Sequence, residues 1–213
     1  MRYMMDEAMP GGPRTMIRRL ALAALVALAP VAAVGQALSL GEISNYLNSI
    51  QTAAGGFTQV NADGSVTTGN VYIKRPGRIR FEYAPPERSL FLAGGGQVAV
   101  FDAASNEGPQ RFPLSETPLS IILADNVNLG RAGMVTAHTS DGTSTIVTAQ
   151  DPAHPEYGSI QLVFTADPVE LRQWIVTDSS GTETTVILND LQTGVQIGDR
   201  AFNIQAEMQN WGQ

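Results

Sequence analysis

The chain contains no cysteine, and this absence excludes two common ways of stabilising a small exported protein. Neither disulfides nor thiolate metal sites can contribute to the fold. A lipid-modified cysteine at the start of a mature chain is excluded as well. Any contact with a membrane surface is therefore expected to be transient and made by a diffusible molecule.

Histidine is scarce, and the motifs of common enzymes are missing. His138 and His154 are isolated and lack metal-ligand spacing with acids or with each other. There is no G-x-S-x-G elbow, and Gly94-Gly95-Gly96 follows a predicted strand without opening a helix, which predicts a hairpin turn rather than a phosphate cradle. No enzyme activity, metal site or cofactor is expected.

Residues 1–37 have the features of a secretory signal peptide. Arg18 and Arg19 precede an apolar run from Leu20 to Ala29, which is too short to cross a bilayer, and a small-x-small cleavage site ends at Ala37. The residues before Met16 include Gly, Pro and acids, so Met16 is a candidate initiator and residues 1–15 a candidate artefact of an upstream start. The expected product is one soluble, exported domain, 38–213, with no later membrane span.

The mature chain is poor in basic residues. Residues 1–37 hold four of the 13 basic and two of the 20 acidic residues, which leaves 9 and 18, a formal charge of −9. Nucleic acid is therefore not an expected partner. Arg78 and Arg80 are interpreted as a solvated strand face, with a contact to an acidic partner as the alternative. They belong to a short segment that holds five of the nine remaining basic residues: Lys74, Arg75, Arg78, Arg80 and Arg88.

The hydrophobic pattern predicts a short helix followed by an antiparallel meander. Ser39 and Glu42 form a capping box, and Leu40, Ile43, Leu47 and Ile50 make one apolar stripe on a helix expected to stop at Gly55-Gly56. A second short helix is expected after Thr117-Pro118. Strands are predicted at 57–60, 65–75, 78–84, 89–93, 97–102, 110–113, 133–140, 143–150, 159–165, 171–177 and 183–189.

Alternation within the strands predicts a sheet with one apolar and one polar face. Ile79, Phe81 and Tyr83 alternate with polar residues. Ile160, Leu162 and Phe164 alternate in the same way with Gln161, Val163 and Thr165. Only two short helices are available to cover so many strands, so the sheet is expected to curl and leave room for a ligand. A fully packed β core is the alternative, and the pattern does not decide between the two.

Arg75 breaks the apolar pattern. Val71, Ile73 and Arg75 share one sheet face, so the guanidinium points to the apolar side and requires carbonyls, a carboxylate or a ligand head group as partners. The C-terminal carbonyls of a covering helix would satisfy it and hold a lid shut. Alternatively, the side chain reaches water from the strand end beside Pro76-Gly77.

These residues resemble the LolA family of periplasmic lipoprotein carriers over nearly all of the mature chain. The most specific segment is Lys74-Arg75-Pro76-Gly77. The similar segments are Phe57-Thr58-Gln59, Gly69-x-Val71-Tyr72-Ile73-Lys74-Arg75-Pro76-Gly77-Arg78-Ile79-Arg80-Phe81-Glu82-Tyr83, and Pro113-Leu114-x-x-Thr117-Pro118-Leu119-x-x-Ile122-Leu123. Ala99 and Val100 depart from the family, in which bulkier aromatic residues are common.

The resemblance implies a mainly β, incomplete and strongly curved antiparallel barrel, with a lid of short helices over a hydrophobic cavity for lipoprotein acyl chains. It also implies that an inner-membrane ABC transporter supplies the lipoprotein and that an outer-membrane acceptor receives it. The carrier itself would be a periplasmic monomer, and Arg75 would be the residue that locks the lid. With the alternating strands, it predicts these cavity residues: Val71, Ile73, Ile79, Phe81, Tyr83, Leu119, Ile121, Ile122, Leu123, Ile160, Leu162 and Phe164.

Two other interpretations remain open at this point. A protein of this pattern could carry another hydrophobic ligand, such as a phospholipid, terpenoid or polyketide. It could also be a periplasmic interaction or sensor module that binds a protein on its polar sheet face and keeps its interior packed.

Overall fold

The computed structural model describes residues 37–105 and 107–211. The predicted signal peptide and the candidate start at Met16 lie outside the described residues, apart from Ala37. Within these ranges, eleven strands form one antiparallel sheet. They are β1 (Thr52–Val60), β2 (Val66–Lys74), β3 (Ile79–Tyr83), β4 (Leu90–Gly94), β5 (Gln97–Phe101), β6 (Gln110–Pro113), β7 (Val135–Ser140), β8 (Ser144–Gln150), β9 (Ser159–Ala166), β10 (Val169–Thr177) and β11 (Glu183–Thr193).

The sheet is open, with β6 and β7 at its edges. The strand order is β6-β5-β4-β3-β2-β1-β11-β10-β9-β8-β7, so pairing follows chain order except where β1 meets β11. Every predicted strand is present, and the prediction of a mainly β fold with an incomplete barrel is confirmed. The β1–β11 pairing joins the two halves of the meander into one surface.

Three helices accompany the sheet in the described part of the chain: α1 (Leu40–Ser49), α2 (Leu119–Leu123) and α3 (Ile204–Asn210). The capping box of α1 is present, with Ser39 accepting from the Glu42 amide and Glu42 accepting from the Ser39 amide. The residue before α2 is Pro118, one residue later than the predicted cap at Thr117. None of these helices is long and apolar enough to cross a membrane.

Two expectations about the helices were wrong. Helix α1 ends at Ser49, whereas Gly55 and Gly56 lie inside β1. A Cβ on Gly55 would lie 2.8 Å from the Asn189 carbonyl oxygen of β11, so the glycine permits a close strand contact rather than stopping a helix. Helix α3 was not predicted, although Asn203 caps it by accepting from the Ala206 amide.

Contacts between distant strands show that the sheet curls. Phe81 of β3 and Trp174 of β10 have ring centroids 6.2 Å apart. Four strand steps separate β3 from β10, which would be about 19 Å in a flat sheet. The concave face therefore closes around the main apolar core.

The C-terminal segment covers part of the convex face. Phe202 and Ile204 pack there against Leu90, Leu92 and Phe101 of β4 and β5.

Three basic side chains on the outer side of the sheet form ion pairs with this segment. Lys74 and Arg78 each lie 2.7 Å from Asp199, and Arg80 pairs with Glu207 at 2.8 Å and Glu82 at 2.6 Å. The interpretation of Arg78 and Arg80 as a solvated face was therefore wrong, because both bind acids of this chain.

Candidate functional site

The predicted cavity residues lie together on the concave face and on the helix that covers it. Eleven of the twelve belong to one buried cluster, and Tyr83 packs against its border. The strands contribute Val71, Ile73, Ile79, Phe81, Ile160, Leu162 and Phe164, and α2 contributes Leu119, Ile121, Ile122 and Leu123. Each of these eleven side chains is at most 8% exposed, so side chains fill the space under the helices.

Aromatic rings link the two halves of the curled sheet. Phe57 makes edge-to-face contacts with Phe81 at 5.0 Å and with Tyr83 at 5.2 Å, and Phe81 contacts Phe91 at 5.7 Å. Burial raises the pKa of the Tyr83 hydroxyl to about 12, so it remains a neutral donor. Phe57, Phe91 and Trp174 were not predicted as site residues.

The inward direction of Trp174 could not be predicted from the alternation of side chains along its strand. A register shift between Leu171 and Gln173 in β10 changes the phase of the strand, so Leu171 and Trp174 both point inward although they are three residues apart. A period of two does not predict this. The bulge could not be located from the sequence.

Arg75 follows β2 and is 6% exposed. Its guanidinium donates to the Leu47 carbonyl near the end of α1, and at 2.5 Å to the Ala124 carbonyl that follows α2. A further bond of 3.1 Å reaches Asn48 Oδ1. The alternative in which the head group reaches water is therefore wrong. Burial lowers the pKa of this guanidinium, and the Asp125 carboxylate opposes the shift, but an arginine keeps its charge at neutral pH.

Asn48 joins the same network and was missed by sequence reasoning. Its Oδ1 accepts from the Val127 amide at 2.9 Å, and its Nδ2 donates to the Val127 carbonyl at 2.9 Å. Its side chain thus satisfies both backbone groups of one residue in the segment after α2. No local signal marks this residue, because its partners lie 79 positions away.

The covering layer consists of α1, α2 and the segment 124–129. Ser44 of α1 accepts from the Leu129 amide at 3.1 Å, and the Leu123 carbonyl accepts from the Gly77 amide at 2.8 Å. Val127 and Leu129 are 3% and 1% exposed. The layer is therefore held to the sheet by apolar packing and by hydrogen bonds concentrated around Arg75.

An open groove of about 450 Å³ lies between the two halves of the sheet, beside the start of α2. Phe91 and Phe112 line it from β4 and β6, and Val176 and Thr184 line it from β10 and β11. Leu119 adds to the apolar part of the wall, and Glu116 and Asp178 line the groove as well. The concave face thus combines a packed interior under the helices with a mainly apolar opening next to it, so neither the cavity nor the packed core describes it alone.

The two histidines take no part in the hydrogen bonds around Arg75 described above, and Tyr157, the ring next to His154, lines the open groove. His138 Nε2 lies 2.8 Å from the Leu38 carbonyl, and His154 stacks on Tyr157 and pairs with Glu156 at 3.0 Å. Among the described residues, no group of three or more histidines and acids is placed to hold a metal ion.

Matches among solved structures cover most of this chain at low sequence identity. A LolA superfamily protein from Nitrosomonas europaea matches with a TM-score of 0.40 and 14% identity, over 78% of this chain and 98% of that one. A putative outer membrane lipoprotein-sorting protein domain from Vibrio parahaemolyticus matches with a TM-score of 0.45 and 8% identity, over 78% and 95%.

Sequence comparison gives a more specific result. An outer-membrane lipoprotein carrier protein of Pseudomonas aeruginosa is 24% identical over 197 residues, covering 88% of this chain and 93% of the relative. One from Methylococcus capsulatus is 24% identical over 173 residues, covering 75% and 80%. The family model described as outer membrane lipoprotein carrier protein LolA matches residues 48–205. The chain therefore belongs to the LolA family.

Proposed function

We propose that this protein binds the acyl chains of lipoproteins released from the inner membrane and delivers them to the outer membrane. The family assignment supports a carrier role. The observation that carries the proposal is Arg75, which ties both covering helices down over a continuous apolar face. A carrier of this kind performs no chemical reaction, and its work is reversible binding.

The hydrogen bonds of Arg75 provide a barrier that cargo can overcome. Burying each acyl methylene is favourable by about 0.8 kcal/mol. A hydrogen bond to a charged group is worth about 1.5–3 kcal/mol. Several methylenes are therefore enough to offset the loss of the Leu47 and Ala124 contacts. In this mechanism the helices lift, acyl chains replace their contacts with the sheet, and closure promotes release.

The proposed partners follow from this cycle. An inner-membrane ABC transporter supplies the acylated protein, and an outer-membrane acceptor removes it. The carrier touches the membrane surface transiently and works as a periplasmic monomer, exported by the predicted signal in residues 1–37. The formal charge of −9 on residues 38–213 argues against a nucleic acid as partner.

The test is the variant Arg75→Leu, compared with the wild type by native mass spectrometry and by transfer of a triacylated lipopeptide to vesicles. We expect the wild type to form a stoichiometric adduct that fatty acids displace. The variant should keep the adduct but release it about tenfold more slowly, because its helices no longer regain the bonds to Arg75. Arg172→Leu is the matched control, since that guanidinium is 54% exposed and pairs with Glu170.

The outcomes separate the competing functions. Unchanged transfer by Arg75→Leu would remove Arg75 from the mechanism. Preferential retention of another lipid, such as a phospholipid or terpenoid, would assign the protein to a different hydrophobic cargo. The absence of any adduct under all conditions would favour a packed module that binds protein partners.

A further inference from the structure

A second groove of about 450 Å³ lies at the end of the sheet away from Arg75. Thr67 near the start of β2 lines it, paired across the sheet with Gln59 of β1. Eight residues of extended chain separate Thr67 from Arg75, a distance of about 26 Å. This groove, which we call the polar groove, is thus remote from the contacts that hold the helices.

The polar groove adjoins the open groove beside the start of α2, which we call the apolar groove. Val100 lines the polar groove, and its cross-strand partner Phe91 lines the apolar one. On the neighbouring edge strand, Gln110 lines the polar groove and Phe112 the apolar one. The concave surface therefore becomes more polar within two residues of the same strand, which suits a ligand with an acyl chain and a polar head.

Side chains in the polar groove are already oriented for hydrogen bonding. The Tyr83 hydroxyl donates to Gln59 Oε1 at 2.8 Å, and Gln59 Nε2 donates to Asn61 Oδ1 at 2.6 Å. Thr67 Oγ1 is buried in the groove wall and has no hydrogen-bond partner among the described residues. An amide oxygen accepts two hydrogen bonds and an amide nitrogen donates two, so the fixed amides of Gln59 and Asn61 retain capacity that a polar ligand can use.

The charge of the polar groove selects the kind of head group. Glu87, Asp102 and Glu107 line it, whereas Arg88 and Arg111 are not among its lining residues. Three carboxylates without a lining cation disfavour a phosphate or another anion. They favour amide and ammonium groups, which donate hydrogen bonds or carry positive charge.

We propose that the polar groove binds the first residues of the lipid-modified polypeptide, with a preference for backbone amides and lysine side chains close to the acylated end. This assignment rests on the proposed carrier function and deepens it, because it gives the cargo a peptide specificity in addition to its acyl chains. The acyl chains enter the apolar groove, and the peptide leaves along the polar one.

The experiment measures displacement of a fluorescent fatty acid by two triacylated lipopeptides that share the same acyl groups. One carries a tetralysine peptide and the other a tetraglutamate peptide. We expect the wild type to bind the lysine form roughly fivefold more tightly at low salt, the scale of a few exposed ion pairs. Raising the salt concentration should reduce this preference.

The matching variant is Glu87→Gln/Asp102→Asn/Glu107→Gln, which removes three charges and keeps an acceptor oxygen at each position. It should bind both lipopeptides equally and the fatty acid as the wild type does. The control, Asp141→Asn/Asp167→Asn/Glu170→Gln, removes three charges outside the polar groove and should retain the preference. Lysophosphatidylethanolamine, which joins an ammonium to a phosphate, should show no dependence on the groove charges.

Each result bears on a different claim. Equal binding of both lipopeptides by the wild type, with normal displacement of the fatty acid, would overturn the polar groove as a peptide site and leave the carrier intact. If substituting the three groove carboxylates changes only the binding of lysophosphatidylethanolamine, the groove binds a lipid head group instead. If neither lipopeptide displaces the fatty acid, both proposals fail.

Discussion

Arg75 is a buried charge that needs hydrogen-bond partners in the folded protein. An unpaired guanidinium at 6% exposure would be costly, so its contacts with Leu47, Asn48 and Ala124 are required whenever the helices are closed. These partners belong to the covering layer, whereas Arg75 belongs to the sheet. Opening the layer therefore leaves several donors to be satisfied by water or by cargo.

Gly69 occupies a point of close approach between β2 and β3. A Cβ there would lie 2.0 Å from the Glu82 carbonyl oxygen and 2.8 Å from the Phe57 ring. Gly69→Ala should lower the free energy of unfolding by about 1–3 kcal/mol, because the strands must separate and the Phe57 ring must move. Urea denaturation measures the change.

The control for this prediction is Gly198→Ala, since no atom lies within 4 Å of a Cβ at that position. A Gly69→Ala protein with an unchanged urea midpoint would contradict the close approach between β2 and β3.

At the scale of elements, α1, α2 and the segment 124–129 form one covering layer. Ser44 and Asn48, one turn apart on α1, hold the amides of Leu129 and Val127. Both helices are short, and short helices depend on tertiary contacts for their stability. The layer therefore depends on these contacts for its position on the sheet.

Asn48→Ala should loosen this layer selectively. The substitution leaves the Val127 amide and carbonyl without partners and removes one acceptor of Arg75. The Val127 amide should exchange with deuterium about tenfold faster or more, while the central strands are unaffected. Hydrogen exchange measured by NMR reports each amide separately.

Asn45→Ala provides the comparison, because Asn45 is exposed on the same helix. Equal acceleration in both variants would mean that the loss of helix stability, rather than the lost contacts, explains the effect.

At the scale of the whole molecule, ionic contacts attach the C-terminal segment to the convex face. Lys74 and Arg78 lower the pKa of Asp199 from its ordinary value of 3.8, with Lys74 as the larger cause. A carboxyl whose pKa is lower in the folded state stabilises it above the unfolded pKa. That contribution is lost as the pH falls through the folded value.

Acid should therefore weaken the attachment of this segment. The rings of Trp211 and Phe101 are tilted by 46° with centroids 4.9 Å apart, whereas Trp174, the other tryptophan of the chain, is 1% exposed. We expect acrylamide to quench Trp211 more strongly as the pH falls below 3.8, because the lowered pKa of Asp199 places its protonation in the folded protein below that value. Asp199→Asn should show stronger quenching at neutral pH and a weaker dependence on acid, and an identical pH profile in this variant would exclude Asp199 as the cause.

Local patterns in the sequence determined the strands, the cap of α1 and the inward direction of Arg75. Ile79, Phe81 and Tyr83 lie on one face because successive side chains of a strand alternate, and Ser39 and Glu42 cap a helix because they are three residues apart. These relations involve only neighbours in the chain. They hold however the rest of the chain folds.

Tertiary structure alone decided which groups meet across the chain. The bulge that turns Trp174 inward, the Val127 groups that bind Asn48 and the carbonyls that surround Arg75 all depend on how the sheet curls and where β1 meets β11. The polar groove likewise forms only when β1–β6 are assembled. The physical reason is that hydrogen bonds and packing between distant segments are set by the path of the chain, which local periodicity does not encode.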